Sequence, residues 1–291
     1  MDSGVIPTVA RQTAQMTRPN LPNFLKPPVS EVALSVQFEE LAGLGIPQIG
    51  LLWRGFRERF PVTEQHALLP PAFEVFGVRA TPEVAIGFEM MQSPPLPRCW
   101  FLNEQRTELI QVQTNRFIHN WRKVGSGDEY PRYEHLRNRF EQELHEFQTF
   151  LEQEGLGVLA PNQCEVTYVN QILADQGWSS HGEIGNVLTV FQPQYSDDYL
   201  RDPEDVRLQL RFLLKDPEGN PIGRLHINAK PAYRRKDGLA LLELTLTVRG
   251  NPRGDGIDGV FGFFDIGRET IVRAFASITT PAMHQLWERT Q

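Results

Sequence analysis

RCWFLNEQRTELIQVQTNRFIHNWRKVGSGDEYPRYEHLRNRFEQELHEFQTFLEQE, residues Arg98 to Glu154, changes its hydrophobic period from two to about 3.6 part-way along. Trp100, Phe101 and Leu102, and then Leu109 to Val112, flank Asn103-Glu104-Gln105-Arg106, which reads as a hairpin. After a short polar aromatic hinge come Asn120-Trp121-Arg122 and Tyr130-Pro131-Arg132-Tyr133. Tyr133, Leu136, Phe140, Leu144, Phe147 and Leu151 then recur at helical spacing opposite Glu134, Glu141, Glu143, Glu146, Glu152 and Glu154. The spacing predicts a long amphipathic helix, stopped by Gly155-Leu156-Gly157 and laid across a sheet.

Outward from this stretch the same two patterns repeat. Val32, Leu34, Val36 and Phe38 alternate as in a half-buried strand, and Ile46, Ile49, Trp53, Phe56 and Phe60 recur as in a helix that Pro61 ends. A short strand is read near Val84 to Met90, between proline pairs. Glu165 to Ile172 is a strand, and further alternation falls on Val206 to Leu214, Leu225 to Ala229 and Leu242 to Val248. A closing helix carries Phe264, Ile271, Phe275 and Ile278 on one stripe. The predicted fold class is α+β: two halves of antiparallel sheet, each covered by long amphipathic helices, in an arrangement that suggests a pseudo-duplication. The expected organisation is a flexible Pro-rich leader over 1–28, an N-terminal half over 29–173, a linker or loop over 174–186, and a C-terminal meander plus helix over 187–291.

The 291-residue chain carries a net charge of −7, which argues against a dedicated nucleic-acid coat, although a local basic face is compatible with it. The only cysteines, Cys99 and Cys164, fall in strand-like segments and read as buried thiols of a reducing compartment. No apolar run has the length of a bilayer span and no signal peptide is evident, so a cytoplasmic protein without a membrane role is expected. The histidines lack metal spacing, no phosphate loop or nucleophile elbow occurs, and Gly254 to Gly259 fits neither a dinucleotide nor a calcium loop. No catalytic residue, metal or cofactor is therefore assigned.

Two groups remain as candidate sites. Asn120, Trp121, Arg122, Tyr130, Arg132 and Tyr133, with Trp178 in a separate polar loop, combine large rings with guanidinium groups and read as a partner-binding surface, or else as a helix anchor. Arg207, Arg211, Arg224, His226, Lys230 and Arg249 fall on the polar side of the second meander and read as an anion or nucleic-acid site, or else as a solvated face with cross-strand pairs. A composite hydrolase site drawn from Glu165, Asn170, His226 and Glu243 is a further alternative.

Pro28-Val29-Ser30-Glu31-Val32, Asn120-Trp121-Arg122, Tyr130-Pro131-Arg132-Tyr133 and Glu165-Val166-Thr167-Tyr168-Val169-Asn170-Gln171-Ile172, with the helix Phe264 to Trp287, resemble a sporadically distributed prokaryotic family of uncharacterised proteins. The resemblance spans about Pro28 to Arg289 and implies a bacterial or archaeal accessory protein, of the kind found in defence or toxin–antitoxin loci. It supplies no catalytic residues. The expectation is a non-enzymatic binding or regulatory protein acting through a protein partner, encoded by a neighbouring gene, or through self-association as a homodimer. A nucleic-acid or nucleotide binder is the alternative.

Overall fold

Val32, Leu34, Val36 and Phe38 alternate along β1 (Val29–Phe38) and are all buried, which commits one face of this strand to the core. The computed structural model describes residues 20–77, 96–192, 199–200 and 203–291. In it, β1 is the central strand of a nine-stranded antiparallel sheet. The order is β2 (Val62–His66), β3 (Arg98–Leu102), β4 (Glu108–Gln113), β5 (Arg116–Arg122), β1, β6 (Pro161–Leu173), β9 (Ala240–Gly250), β8 (Pro221–Tyr233) and β7 (Leu208–Lys215). The mixed α+β class is the predicted one. The expected half-sheets are continuous, because β1 and β6 pair antiparallel from Val29 opposite Asn170 to Phe38 opposite Pro161. Connectivity repeats about that pair: β5 closes a meander back onto β1, and β9 closes another back onto β6.

The helices are α1 (Ile46–Phe56), α2 (Tyr133–Gln153), α3 (Gly256–Ile278) and α4 (Pro281–Leu286). Leu136, Phe140, Leu144, Phe147 and Leu151 form the buried side of α2, and Gly155 at φ +61° lets the chain turn off its end. α3 packs on β6 and β9, and α2 packs on β5 and against α3. Phe117 of β5 stacks on Phe147 with centroids 4.8 Å apart, and Phe140 meets Phe264 of α3 at 5.6 Å, so rings weld both helices to the same sheet face. The closing segment breaks at Thr279-Thr280-Pro281, where the Thr280 hydroxyl accepts from Met283 N at 3.4 Å and starts α4.

Several expectations are corrected. Asn120-Trp121-Arg122, expected beyond the sheet's hairpin, is the end of β5, which is buried on both sides and so shows no alternation. Within residues 174–186, expected as a linker or loop, Trp178 and His181 are buried and a 3-10 turn runs over His181–Asn186. Leader residues Met1 to Arg18 and Pro19, and the strand expected near Val84 to Met90, lie outside the described residues. Within 20–28 the chain is ordered, because Phe24 is buried against Phe275, His284 and Trp287 and bridges Arg289. That contact joins opposite ends of the chain and has no local sequence signal. Among the described residues no helix is long and apolar enough to cross a membrane.

Candidate functional site

Because side chains alternate along a strand, the face of the sheet away from the helices collects Gln113, Arg116, Gln37 and Gln163, which stand directly beside one another on β4, β5, β1 and β6. An extended segment, Ala67 to Gly77, runs across this row. Leu69 N donates to Gln113 Oε1 at 3.1 Å while Gln113 Nε2 donates to Leu69 O at 3.0 Å. Ala72 N donates to Gln37 Oε1 at 2.9 Å, Glu74 N to Gln163 Oε1 at 2.6 Å, and Arg116 Nη2 to Pro70 O at 3.1 Å. Side-chain amides thus replace the ladder partners that the segment lacks.

The segment ends on the predicted basic face. Glu74, whose side chain is 3% exposed, pairs with Arg224, lies 2.6 Å from His226 Nε2 and 3.5 Å from Arg249 Nη1. Burial pushes its carboxyl up, but the His226 hydrogen bond and the charges of His226, Arg224 and Arg249 outweigh that and hold it below the usual carboxylate range. Phe76 follows with its ring 5.5 Å from the Arg224 guanidinium. Arg249 also bonds Glu165 at 2.6 Å, and Lys230 bonds Glu243 at 2.9 Å. Arg224, His226 and Arg249 therefore form one cluster around the Glu74 carboxylate. Lys230 and Arg207 border a separate open depression of about 570 Å³, and Arg211 stands exposed on edge strand β7.

The ring-and-arginine group is divided by the same alternation. Asn120 and Arg122 lie on the polar face, where Asn120 Nδ2 donates to Glu31 Oε1 at 2.7 Å and Arg122 covers Trp100 at 5.5 Å. Trp121 is on the helix face, 5.5 Å from Tyr130. There Tyr130, Arg132 and Tyr133 border a cavity of about 420 Å³ together with Tyr168, Asn170 and Arg268. Tyr133 is buried and donates to Asp265 at 2.8 Å. Arg132 sits at φ +72°, a strained backbone for a side chain of its size, and its guanidinium holds Phe24 O at 3.0 Å.

Trp178 belongs to neither region. It is 5% exposed and packs in the protein's own core with His181 at 5.6 Å, because Gly177 at φ +91° folds the loop inward. Glu165, His226 and Glu243 share the polar face, while Asn170 points to the helix face and donates to Leu244 O at 3.1 Å, so the composite hydrolase set does not converge. Sequence reading missed the glutamine row, Glu74, Tyr168 and Arg268. Amides at polar-face positions on neighbouring strands were the available signal for the row. Comparisons with family models, curated proteins and solved structures find no match to the chain.

Proposed function

We propose that the protein is a binding protein that recognises an acidic segment of a protein partner on the polar face of its sheet. The observation that supports this reading is the convergence of Arg224, His226 and Arg249 on one carboxylate, Glu74, offered by an extended strap held through side-chain amides. Such an arrangement is a built-in substitute for an acidic ligand, and an incoming acidic peptide competes with it for the same cations. The cytoplasmic setting, the accessory role implied by the family resemblance, and a partner from a neighbouring gene all belong to this proposal. So does the origin of the repeated connectivity in a duplicated unit of sheet and long amphipathic helix.

Titrating a fluorescent glutamate-rich peptide against the protein tests the reading. Glu74→Gln is expected to tighten binding by roughly tenfold, the order of one charged hydrogen bond released for the ligand, and Arg224→Glu to abolish it. Salt is expected to weaken the interaction. A single-stranded oligonucleotide serves as the second arm. Preference for it over the peptide would favour the nucleic-acid reading, and absence of peptide binding to Glu74→Gln would end the acidic-partner reading. Light scattering after size exclusion addresses self-association.

A further inference from the structure

The cavity on the helix face is closed by elements from distant parts of the chain: residues 21–27, the start of α2, β6 and α3. Its volume of about 420 Å³ lies in the range of small-molecule sites. Ile271, Val272 and Phe275 of α3 supply an apolar wall, and Tyr130 and Tyr133 supply rings.

Most of its polar groups are already partnered, and Arg268 and the Tyr130–Tyr168 pair are the ones that retain donor capacity. Arg268 borders the cavity with Nε and Nη1 buried and without hydrogen-bond partners among the described residues. The remaining nitrogen, Nη2, is 4.0 Å from Glu134 Oε1, and the guanidinium lies 5.6 Å from the Tyr133 ring centroid. Beside it the Tyr130 and Tyr168 hydroxyls are 2.9 Å apart. One donates to the other, which leaves a single O–H proton for a third group. Both phenols stay protonated at neutral pH, since burial pushes Tyr168 up to about 12 and Tyr130 well above its ordinary value.

We propose that this cavity binds a small aromatic monocarboxylate, whose carboxylate lies against the accessible part of the Arg268 guanidinium and takes the spare tyrosine proton while its ring lies against Ile271, Val272 and Phe275. A guanidinium edge and a hydroxyl suit a planar two-oxygen anion. The Glu134 carboxylate beside Arg268 disfavours ligands of higher negative charge. The site is on the opposite face of the sheet from the Glu74 cluster and does not depend on it.

Calorimetric titration with 2-naphthylacetate, against the uncharged 2-naphthylethanol, decides the matter. The acid is expected to bind more tightly than the alcohol by roughly tenfold or more, and Arg268→Gln to remove that preference. Val272→Trp, which fills the apolar wall, is expected to abolish binding of both with circular dichroism unchanged, whereas Glu74→Gln is expected to leave both affinities as they are. Equal affinity for acid and alcohol, no heat with millimolar acid, or wild-type binding by a folded Arg268→Gln protein would each overturn the assignment.

Discussion

His119 Nδ1 stands 2.7 Å from Glu143 Oε2 with neither side chain exposed to solvent, so a single ionisable contact ties β5 to α2 inside an aromatic core. His119 Nε2 and Glu143 Oε1 have no further partner among the described residues. Each half of such a pair is tolerable only while the other is present. Glu143→Leu or His119→Leu alone is expected to cost about 3–5 kcal/mol, and the double variant His119→Leu/Glu143→Leu to cost far less than their sum or to stabilise. Urea denaturation of the four proteins gives the coupling; strictly additive losses would show that the contact is immaterial.

Glu74 makes stability dependent on pH in a defined direction. Its folded-state carboxyl is held below the ordinary value, so its contribution is complete above the unfolded value and fades as pH falls through the folded one. Glu74→Gln is expected to lose about 1–3 kcal/mol at pH 7, the cost of leaving half-buried cations without their carboxylate, and little at pH 3. Hydrogen exchange over Ala67 to Gly77 is expected to quicken in the variant at neutral pH.

Glu31 has the opposite sign. Burial raises its carboxyl despite the Asn120 hydrogen bond and the Arg122 charge, so ionised Glu31 weakens the fold as pH climbs above the unfolded value. Glu31→Gln keeps an acceptor for Asn120 and removes the charge. It is expected to raise the urea midpoint at pH 7 and to leave it unchanged near pH 4.

The thiols differ in access. Cys164 is fully buried and burial pushes its thiol far up, while Cys99 is part-exposed and raised more modestly by the same cause. A thiol reagent is expected to modify Cys99 slowly in the native protein and Cys164 only on unfolding. Rapid native labelling of Cys164 would contradict the packing of β6.

Gly250 is required by close approach. A Cβ there would lie 2.3 Å from Ile222 O and 2.6 Å from the Phe263 ring of α3. Gly250→Ala is expected to cost about 1–3 kcal/mol by overpacking, and Phe263→Leu in the same chain to return part of that, read as shifts of the thermal midpoint.

How much of this was legible in the chain depends on the range of the contacts. The alternation of Val32 to Phe38 and the stripe from Tyr133 to Leu151 are local and marked the strand and helix correctly. β5 was hidden because His119, Asn120 and Trp121 are all buried and present no polar phase. β2 was hidden because Val62 to His66 is a short edge segment between a helix end and prolines. The basic face was readable as a row of charges, but its chief partner, Glu74, is about 150 positions away from Arg224 and carries no mark of its role. Arg268 likewise gains its meaning only when α3 is laid beside Tyr130 and Tyr168.

β6 is a party wall between two rooms. Tyr168 and Asn170 look into the cavity, while Gln163 and Glu165 on the other side hold the strap and Arg249. It is hydrogen-bonded to β1 on one flank and to β9 on the other along most of its length, which makes it among the least deformable strands of the sheet. Were both proposed ligands to bind, occupancy of one side is expected to leave the affinity of the other unchanged.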